Sequence, residues 1–154
     1  MQKIIIIAAA FAAVIMTGYV LVLTGPYNPF LENEVTAKKI SQGSALYDVN
    51  CAKCHGKNLE GQPNWKIPLP SGRLPAPPHD KSGHTWHHTD NAIAGITKLG
   101  LKPFAGDNYE SDMPAFAAVL SDDEIDAILA YIKSTWPARE RAYQHQITQQ
   151  SIPQ

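Results

Sequence analysis

The feature that most constrains this chain is the spacing of its two cysteines, the only two it has. Cys51 and Cys54 are separated by two residues, and His55 follows the second cysteine directly. This Cys-x-x-Cys-His order is the spacing at which c-type haem is attached to a protein. Each thiol adds across a haem vinyl group to form a thioether, and the histidine then lies under the iron as an axial ligand. The spacing therefore predicts one covalent haem c, tethered by both cysteines and coordinated by His55.

Other interpretations of the same cysteines are less well supported. A thioredoxin-like redox pair expects a buried strand and a βαβ frame before the motif, whereas residues 35–50 have helical recurrence of apolar residues. A structural zinc site needs four ligands, usually from two paired clusters, and the chain has no second cysteine pair. A zinc site and a chance match remain as alternatives to haem attachment.

The N-terminus predicts a membrane anchor. Lys3 precedes an almost wholly apolar stretch over residues 4–23, and about 20 such residues are enough to cross a bilayer as a helix. A secretory signal peptide is the competing interpretation, but its apolar region is shorter, about 7–15 residues, and is followed by a small-residue cleavage site. With Lys3 on the cytoplasmic side, the rest of the chain lies outside. We expect the bacterial inner membrane, with the haem domain on the periplasmic side.

The chain divides into four parts by its composition: a transmembrane anchor at 1–24, a short linker at 25–34, a haem domain at 35–136 and a polar C-terminal tail at 137–154. Within the haem domain, a helix is expected to start near Thr89 or Asp90 and to end at Gly100. The last helix of the domain is expected to start at Ser121, which can form a capping box with Glu124. No segment alternates as a strand does, so the sequence predicts an all-α fold.

The haem domain resembles a class I cytochrome c over residues 35–136. The motifs that carry the resemblance are, in chain order, Gly43-x-x-Leu46-Tyr47, Cys51-x-x-Cys54-His55-Gly56, Asp112-Met113-Pro114 and Ala130-Tyr131-Ile132. The resemblance implies the small helical fold of that family around one haem, in which the first and last helices cross. Gly43 and Tyr47 would then meet the last helix near Tyr131.

The sixth iron ligand is predicted to be Met113. Two of the three methionines, Met1 and Met16, lie in the predicted anchor, and the resemblance places a ligand methionine in a loop such as the one around Met113. A thioether raises the reduction potential relative to a second imidazole.

Four histidines, however, cluster in residues 79–88: His79, His84, His87 and His88. Any of them is an alternative iron ligand, and together they are a candidate zinc or copper site. A polar loop packed around the haem edge is the simplest interpretation of the cluster.

Further site residues follow from the resemblance. A proline after the haem motif supplies a backbone carbonyl to the proximal histidine, and Pro77 is the first choice for it. The haem propionates need hydrogen-bond donors, for which Arg73, Trp86 and His84 are candidates.

The predicted function is one-electron transfer in a bacterial respiratory or photosynthetic chain, not catalysis. An iron with two protein ligands leaves no open position for a substrate. The formal charge is −1 and no basic run occurs, so nucleic acid is not an expected partner. The expected partner is a membrane redox complex or another redox protein. Two alternatives remain: a haem enzyme or small-ligand sensor in which Met113 is displaced, and a metal-handling protein that uses the histidine cluster.

Overall fold

The computed structural model describes residues 29–106 and 108–152. Its helices are α1 (Pro29–Asn50), α2 (Ala52–His55), α3 (Asp90–Leu99), α4 (Lys102–Ala105), α5 (Asp122–Ser134) and α6 (Ala138–Gln150), with a 3-10 turn at Thr85–His87. These residues contain no strand, so the all-α prediction is confirmed for this part of the chain.

The predicted membrane anchor, residues 1–24, lies outside the described residues. Within 29–106 and 108–152, no helix is both long and apolar enough to cross a membrane. The chain divides between residues 38 and 39 into two compact units, and the packing described below is that of the second unit.

The first helix starts earlier than the sequence indicated. It begins at Pro29, inside the segment that was expected to be a linker. Proline is well tolerated in the first turn of a helix, because its missing N–H has no intrahelical partner there and its φ already suits the helix. Residues 29–34 are therefore helical, and the division of the chain into linker and haem domain at residue 34 stays a prediction.

Helices α1 and α5 cross at Gly43. A Cβ added at this position would overlap the carbonyl oxygen of Ala127, so a side chain cannot be accommodated without moving one helix. One turn further along, Tyr47 is 1% exposed, and its ring centroid lies 5.5 Å from that of Tyr131. The predicted crossing is confirmed.

The core consists mainly of α5 and the residues that follow it. The buried stripe is formed by Ile125, Ile128, Leu129 and Ile132, and Trp136 beyond the helix is 1% exposed. The helix starts at the predicted capping box: the Ser121 hydroxyl accepts from the Glu124 N–H at 3.3 Å, and the Glu124 carboxylate accepts from the Ser121 N–H at 2.9 Å. The bonds that this carboxylate accepts from the N–H and the hydroxyl of Ser121 lower the pKa of Glu124.

Helix α3 packs against α5 and positions the segment before it. Thr89 caps α3 by accepting from the N–H of Ala92 at 3.2 Å, as predicted, and Gly100 follows its last residue. Lys133 of α5 donates to both carboxylate oxygens of Asp90 at 2.8 Å. The start of α3 is thereby held to the end of α5.

The C-terminal segment, predicted as a polar tail, is helical over Ala138–Gln150. In α6, Gln144 is completely buried, and its amide donates to the carbonyl of His88 at 3.3 Å and to the carboxylate of Asp90 at 2.7 Å. The sequence gives no apolar stripe for this helix, because its packing against the 3-10 turn uses a buried amide and the half-exposed ring of Tyr143.

Candidate functional site

The three motif residues lie on one helical turn that directly follows α1. The N–H of His55 donates to the carbonyl of Cys51 at 2.9 Å, and that of Cys54 donates to the same oxygen at 3.1 Å. Residues three and four apart on a helix share a face. Both thiols are free: Cys51 is half-buried and Cys54 is exposed. Burial, followed by the nearby Cys54 sulfur, raises the pKa of the Cys51 thiol to about 11.

The imidazole of His55 is oriented by a backbone carbonyl, as the resemblance implied. Its Nδ1 lies 2.8 Å from the carbonyl oxygen of Pro77. A carbonyl only accepts, so Nδ1 carries the proton and the lone pair of Nε2 is free to coordinate a metal. His55 is 7% exposed, and burial lowers its pKa, an effect that the bond to Pro77 partly opposes. The ring is thus held in its neutral form.

A close backbone approach brings Pro77 to this position. The N–H of Gln62 donates to the carbonyl of Ala76 at 2.8 Å, and the Gln62 side chain accepts from the N–H of Ala76 at 3.0 Å. At Gly61, which has a φ of 67°, an added Cβ would overlap the backbone of Pro78. A glycine is therefore required where the two segments meet.

A second imidazole, His79, lies against the ring of His55. The two ring centroids are 4.0 Å apart and the ring planes make an angle of 24°. Nδ1 of His79 is 2.8 Å from the hydroxyl of Thr85. Its backbone carbonyl accepts from the indole N–H of Trp136 at 2.7 Å. Burial, with neighbouring imidazoles adding to the effect, holds the pKa of His79 well below its usual value.

This stack is not predicted by the sequence motifs. The sequence does hold one indication of it, because His79 lies two residues after Pro77, whose carbonyl was expected to contact His55.

Tyr47 connects the helix crossing to the motif. Its hydroxyl donates to the carbonyl of Gly56, immediately after the motif, at 2.9 Å. Burial raises the pKa of this hydroxyl far above its ordinary value. The tyrosine therefore stays neutral and acts as a donor that holds the end of α2.

Met113 lies in the loop after α4. It is half-buried, and its N–H donates to the hydroxyl of Ser111 at 3.1 Å. The neighbouring Asp112 accepts from the guanidinium of Arg73 at 2.6 Å, and Glu110 accepts from the same guanidinium at 3.2 Å. These carboxylates raise the pKa of Arg73. The arginine thus joins the methionine loop to the loop that follows the motif, and its predicted contact with a propionate stays a prediction.

Trp86 lies in a separate aromatic group. Its ring stacks on that of His87 with centroids 3.7 Å apart, and the ring of Tyr143 meets it edge-on at 5.7 Å. The indole N–H donates to the carbonyl of Lys81 at 3.4 Å. Its role as a propionate donor also stays a prediction.

His84 and His88 form the remaining part of the histidine cluster. Their ring centroids are 5.3 Å apart, and His84 also stacks on Trp65 at 5.3 Å. Burial and then His88 lower the pKa of His84. Among the described residues, no group of three or more His, Cys, Asp or Glu side chains is arranged to hold a metal ion.

The donor set at the motif fits a covalently bound haem. Cys51 and Cys54 are thiols outside any disulfide, and His55 presents an unprotonated Nε2 because its Nδ1 is occupied. The thioether of Met113, in the loop after α4, stays the predicted fourth donor. Two thiols, a neutral imidazole and a thioether are the groups that attach and ligate a c-type haem.

Comparison with known proteins agrees with this geometry. The family model described as Cytochrome c matches residues 40–136. The chain is 30% identical over 95 residues to the Cbb3-type cytochrome c oxidase subunit FixP of Rhizobium etli, an alignment that covers 60% of this chain and 29% of that protein. It is 26% identical over 101 residues to Photosystem II extrinsic protein V of Aphanothece halophytica, covering 65% of this chain and 62% of that protein.

FixPc of Rhizobium leguminosarum bv. viciae, another Cbb3-type cytochrome c oxidase subunit, is 30% identical over 95 residues, covering 60% of this chain and 29% of its own length. The chain thus spans less than two thirds of each of these relatives. No solved structure matches it. The family match extends over most of the chain and includes the motif, so this chain belongs to the cytochrome c family, whose members carry covalently bound haem c.

Proposed function

We propose that this chain is a one-electron carrier with a single haem c, attached through Cys51 and Cys54 and ligated by His55 and Met113. The observation that carries the proposal is the bond from Nδ1 of His55 to the carbonyl of Pro77. It leaves Nε2 as the unprotonated ring nitrogen of a residue that shares one helical turn with two free thiols.

The residues around His55 suit electron transfer better than catalysis. When bound, the haem supplies a reversible one-electron couple. The chain contributes a ligand whose ring is fixed by a hydrogen bond and by burial, so its position changes little between oxidation states. With Met113 as a second axial ligand, no coordination position is left for a substrate, which separates a carrier from a haem enzyme.

The proposed location is the periplasmic side of a bacterial inner membrane. The apolar stretch over residues 4–23 and the preceding Lys3 support a retained anchor. The similarity to FixP, a subunit of a Cbb3-type cytochrome c oxidase, supports a membrane redox complex of a respiratory chain as the partner. A photosynthetic chain is the other setting, supported by the similarity to a Photosystem II extrinsic protein.

Covalent attachment is tested by denaturing the purified native protein in acid and extracting it with organic solvent. We expect the haem to stay with the polypeptide, and to be lost from the Cys51→Ala, Cys54→Ala double variant. The matched control is Lys53→Ala, an exposed residue within the motif, which should retain the haem. Release of the haem from the native protein would contradict the proposal.

Carbon monoxide distinguishes the carrier from a ligand sensor or haem enzyme. The reduced native protein should not bind carbon monoxide without denaturant, whereas the Met113→Ala variant should bind it. Binding by the native protein would favour a displaceable sixth ligand.

Cell fractionation with N-terminal mass analysis tests the anchor. A chain that starts at Met1 and is found in the membrane fraction supports it. A form released from the membrane and starting beyond the apolar stretch contradicts it.

A further inference from the structure

We propose that His79 is a positioning residue: its imidazole stacks on the ring of His55, fixes the plane of that axial ligand and thereby sets the reduction potential of the iron. The inference rests on the proposed function, in which His55 ligates a haem. The stacking itself is a feature of the protein, with ring centroids 4.0 Å apart and an interplanar angle of 24°.

A hydrogen bond alone does not fix the plane of the His55 ring. The bond from Nδ1 to the carbonyl of Pro77 sets the direction of the N–H, but the ring can still turn about that axis. A second flat ring against its face removes this freedom, because rotation would drive the two rings into each other. Pro77 and His79 are two residues apart, so one short segment supplies both restraints.

His79 is itself held firmly enough to act as such a support. Its N–H donates to the carbonyl of Leu59 at 2.8 Å, and its own carbonyl accepts from the indole of Trp136 at 2.7 Å. Both partners are buried, Leu59 at 4% and Trp136 at 1% exposure. The ring is anchored separately, through Nδ1 at 2.8 Å from the hydroxyl of Thr85. Backbone and ring are thus restrained independently of each other.

The same geometry excludes another role for His79. A ring stacked face-on against His55 would lie on the same side of a bound haem as that ligand, so it would not coordinate the iron from the opposite side. Of the four clustered histidines, His79 is therefore a support for the ligand and not a sixth ligand.

The stack is expected to lower the potential. An imidazole bound to oxidised iron carries more positive charge than one bound to reduced iron, and the π face of a neighbouring ring stabilises that charge. Outer groups that orient a metal ligand also tune the metal. Removing the ring of His79 should therefore favour the reduced state and raise the potential.

The test uses the full-length, haem-loaded protein and two readouts: the electron paramagnetic resonance g values of the oxidised form and the midpoint potential. His79→Leu should change the g values and raise the potential. His79→Phe, which keeps a flat ring, should restore g values close to those of the native protein. Thr85→Val, which removes only the hydroxyl anchor of the ring, should shift both readouts in the direction of His79→Leu by a smaller amount.

The matched control is His87→Leu, in the same segment but stacked on Trp86; it should leave both readouts unchanged. If His79→Leu does not yield haem-loaded protein, the g values and the potential of Thr85→Val decide whether the proposal holds. Native g values and native potential in every haem-loaded variant at positions 79 and 85 would overturn the proposal. Failure of the proposed function would be seen separately. In that case the native protein itself would lack covalent haem, before any variant is made.

Discussion

The two predicted axial ligands lie in regions that are built very differently. The histidine side, residues 55–61 and 76–79, is held by backbone hydrogen bonds, by a close approach at Gly61 and by a ring stack on a buried imidazole. The methionine side, residues 108–114, is mostly exposed. It is held by a bond between the N–H of Met113 and the hydroxyl of Ser111 and by the ion pairs of Glu110 and Asp112 with Arg73.

The difference indicates how such a site divides its tasks. Regions with many buried contacts open rarely, whereas exposed loops with few contacts open at low free-energy cost. In the proposed site, the histidine side would fix one ligand as part of the core, and the methionine side would adjust to the haem. Changes on the histidine side should therefore affect the stability of the protein, and changes on the methionine side should mainly affect ligand exchange.

The largest effect on stability is expected at Trp136. Trp136→Ala should lower the free energy of unfolding by about 3–5 kcal/mol, because it empties a buried site and removes the bond to the carbonyl of His79. Chemical denaturation of the haem-loaded protein measures this. Tyr143→Ala, at a 44% exposed aromatic residue, is the control and should cost much less. Equal losses for the two variants would show that the histidine side is not supported through Trp136.

A smaller loss is expected at Tyr47, where only a hydroxyl is removed. Tyr47→Phe should cost about 1 kcal/mol, the usual contribution of one hydrogen bond, because the bond to the carbonyl of Gly56 is lost while the ring stays packed. The counterpart on the methionine side is Tyr109→Phe at a half-buried residue, which should have almost no effect. A greater loss at Tyr109 than at Tyr47 would reverse the comparison.

Still less stability should be lost at Arg73. Its ion pairs with Glu110 and Asp112 are exposed, and such pairs contribute about 0–1 kcal/mol. Arg73→Gln should nevertheless allow the reduced protein to bind carbon monoxide slowly, because the loop that carries Met113 is released. Lys98→Gln, which breaks the exposed pair with Asp122, is the control and, like the native protein, should not bind carbon monoxide. Absence of carbon monoxide binding by Arg73→Gln would separate Arg73 from the methionine side.

The smallest expected effect is a change in the pKa of His84, a residue that lies outside the histidine side. Burial and the charge of His88 lower the pKa of His84, so His88→Gln should move that pKa upward, toward its ordinary value. The cause is the loss of repulsion between two protonated rings. Nuclear magnetic resonance titration of the reduced protein measures the change. An unchanged or lower pKa would show that the two rings do not interact in solution.

Features set by neighbouring residues could be predicted from the sequence. Thr89 and Ser121 start their helices as expected, because a cap depends on side chains only a few residues apart. The contact between His55 and Pro77 was anticipated through the family resemblance, which supplies information on pairs distant in sequence. The crossing at Gly43 was anticipated in the same way.

Features that depend on distant pairs or on polar burial could not be predicted. Helix α6 lacks an apolar stripe, since its buried residue is Gln144, and hydrophobic periodicity does not detect such a helix. The stack of His79 on His55 depends on the path of the chain from Leu59 to Pro77. The ion pairs of Arg73 could not be predicted either, because Glu110 and Asp112 lie far from it along the chain.

The central claim is that the iron lies between His55, fixed by the fold, and Met113, held by a loop. The most direct test is the absorption spectrum of the oxidised native protein at the red end of the visible range, where thioether-to-iron charge transfer absorbs. The band should be present in the native protein and in His84→Ala, and absent from Met113→Ala. A native protein without this band, or a Met113→Ala variant that keeps it, would contradict the claim.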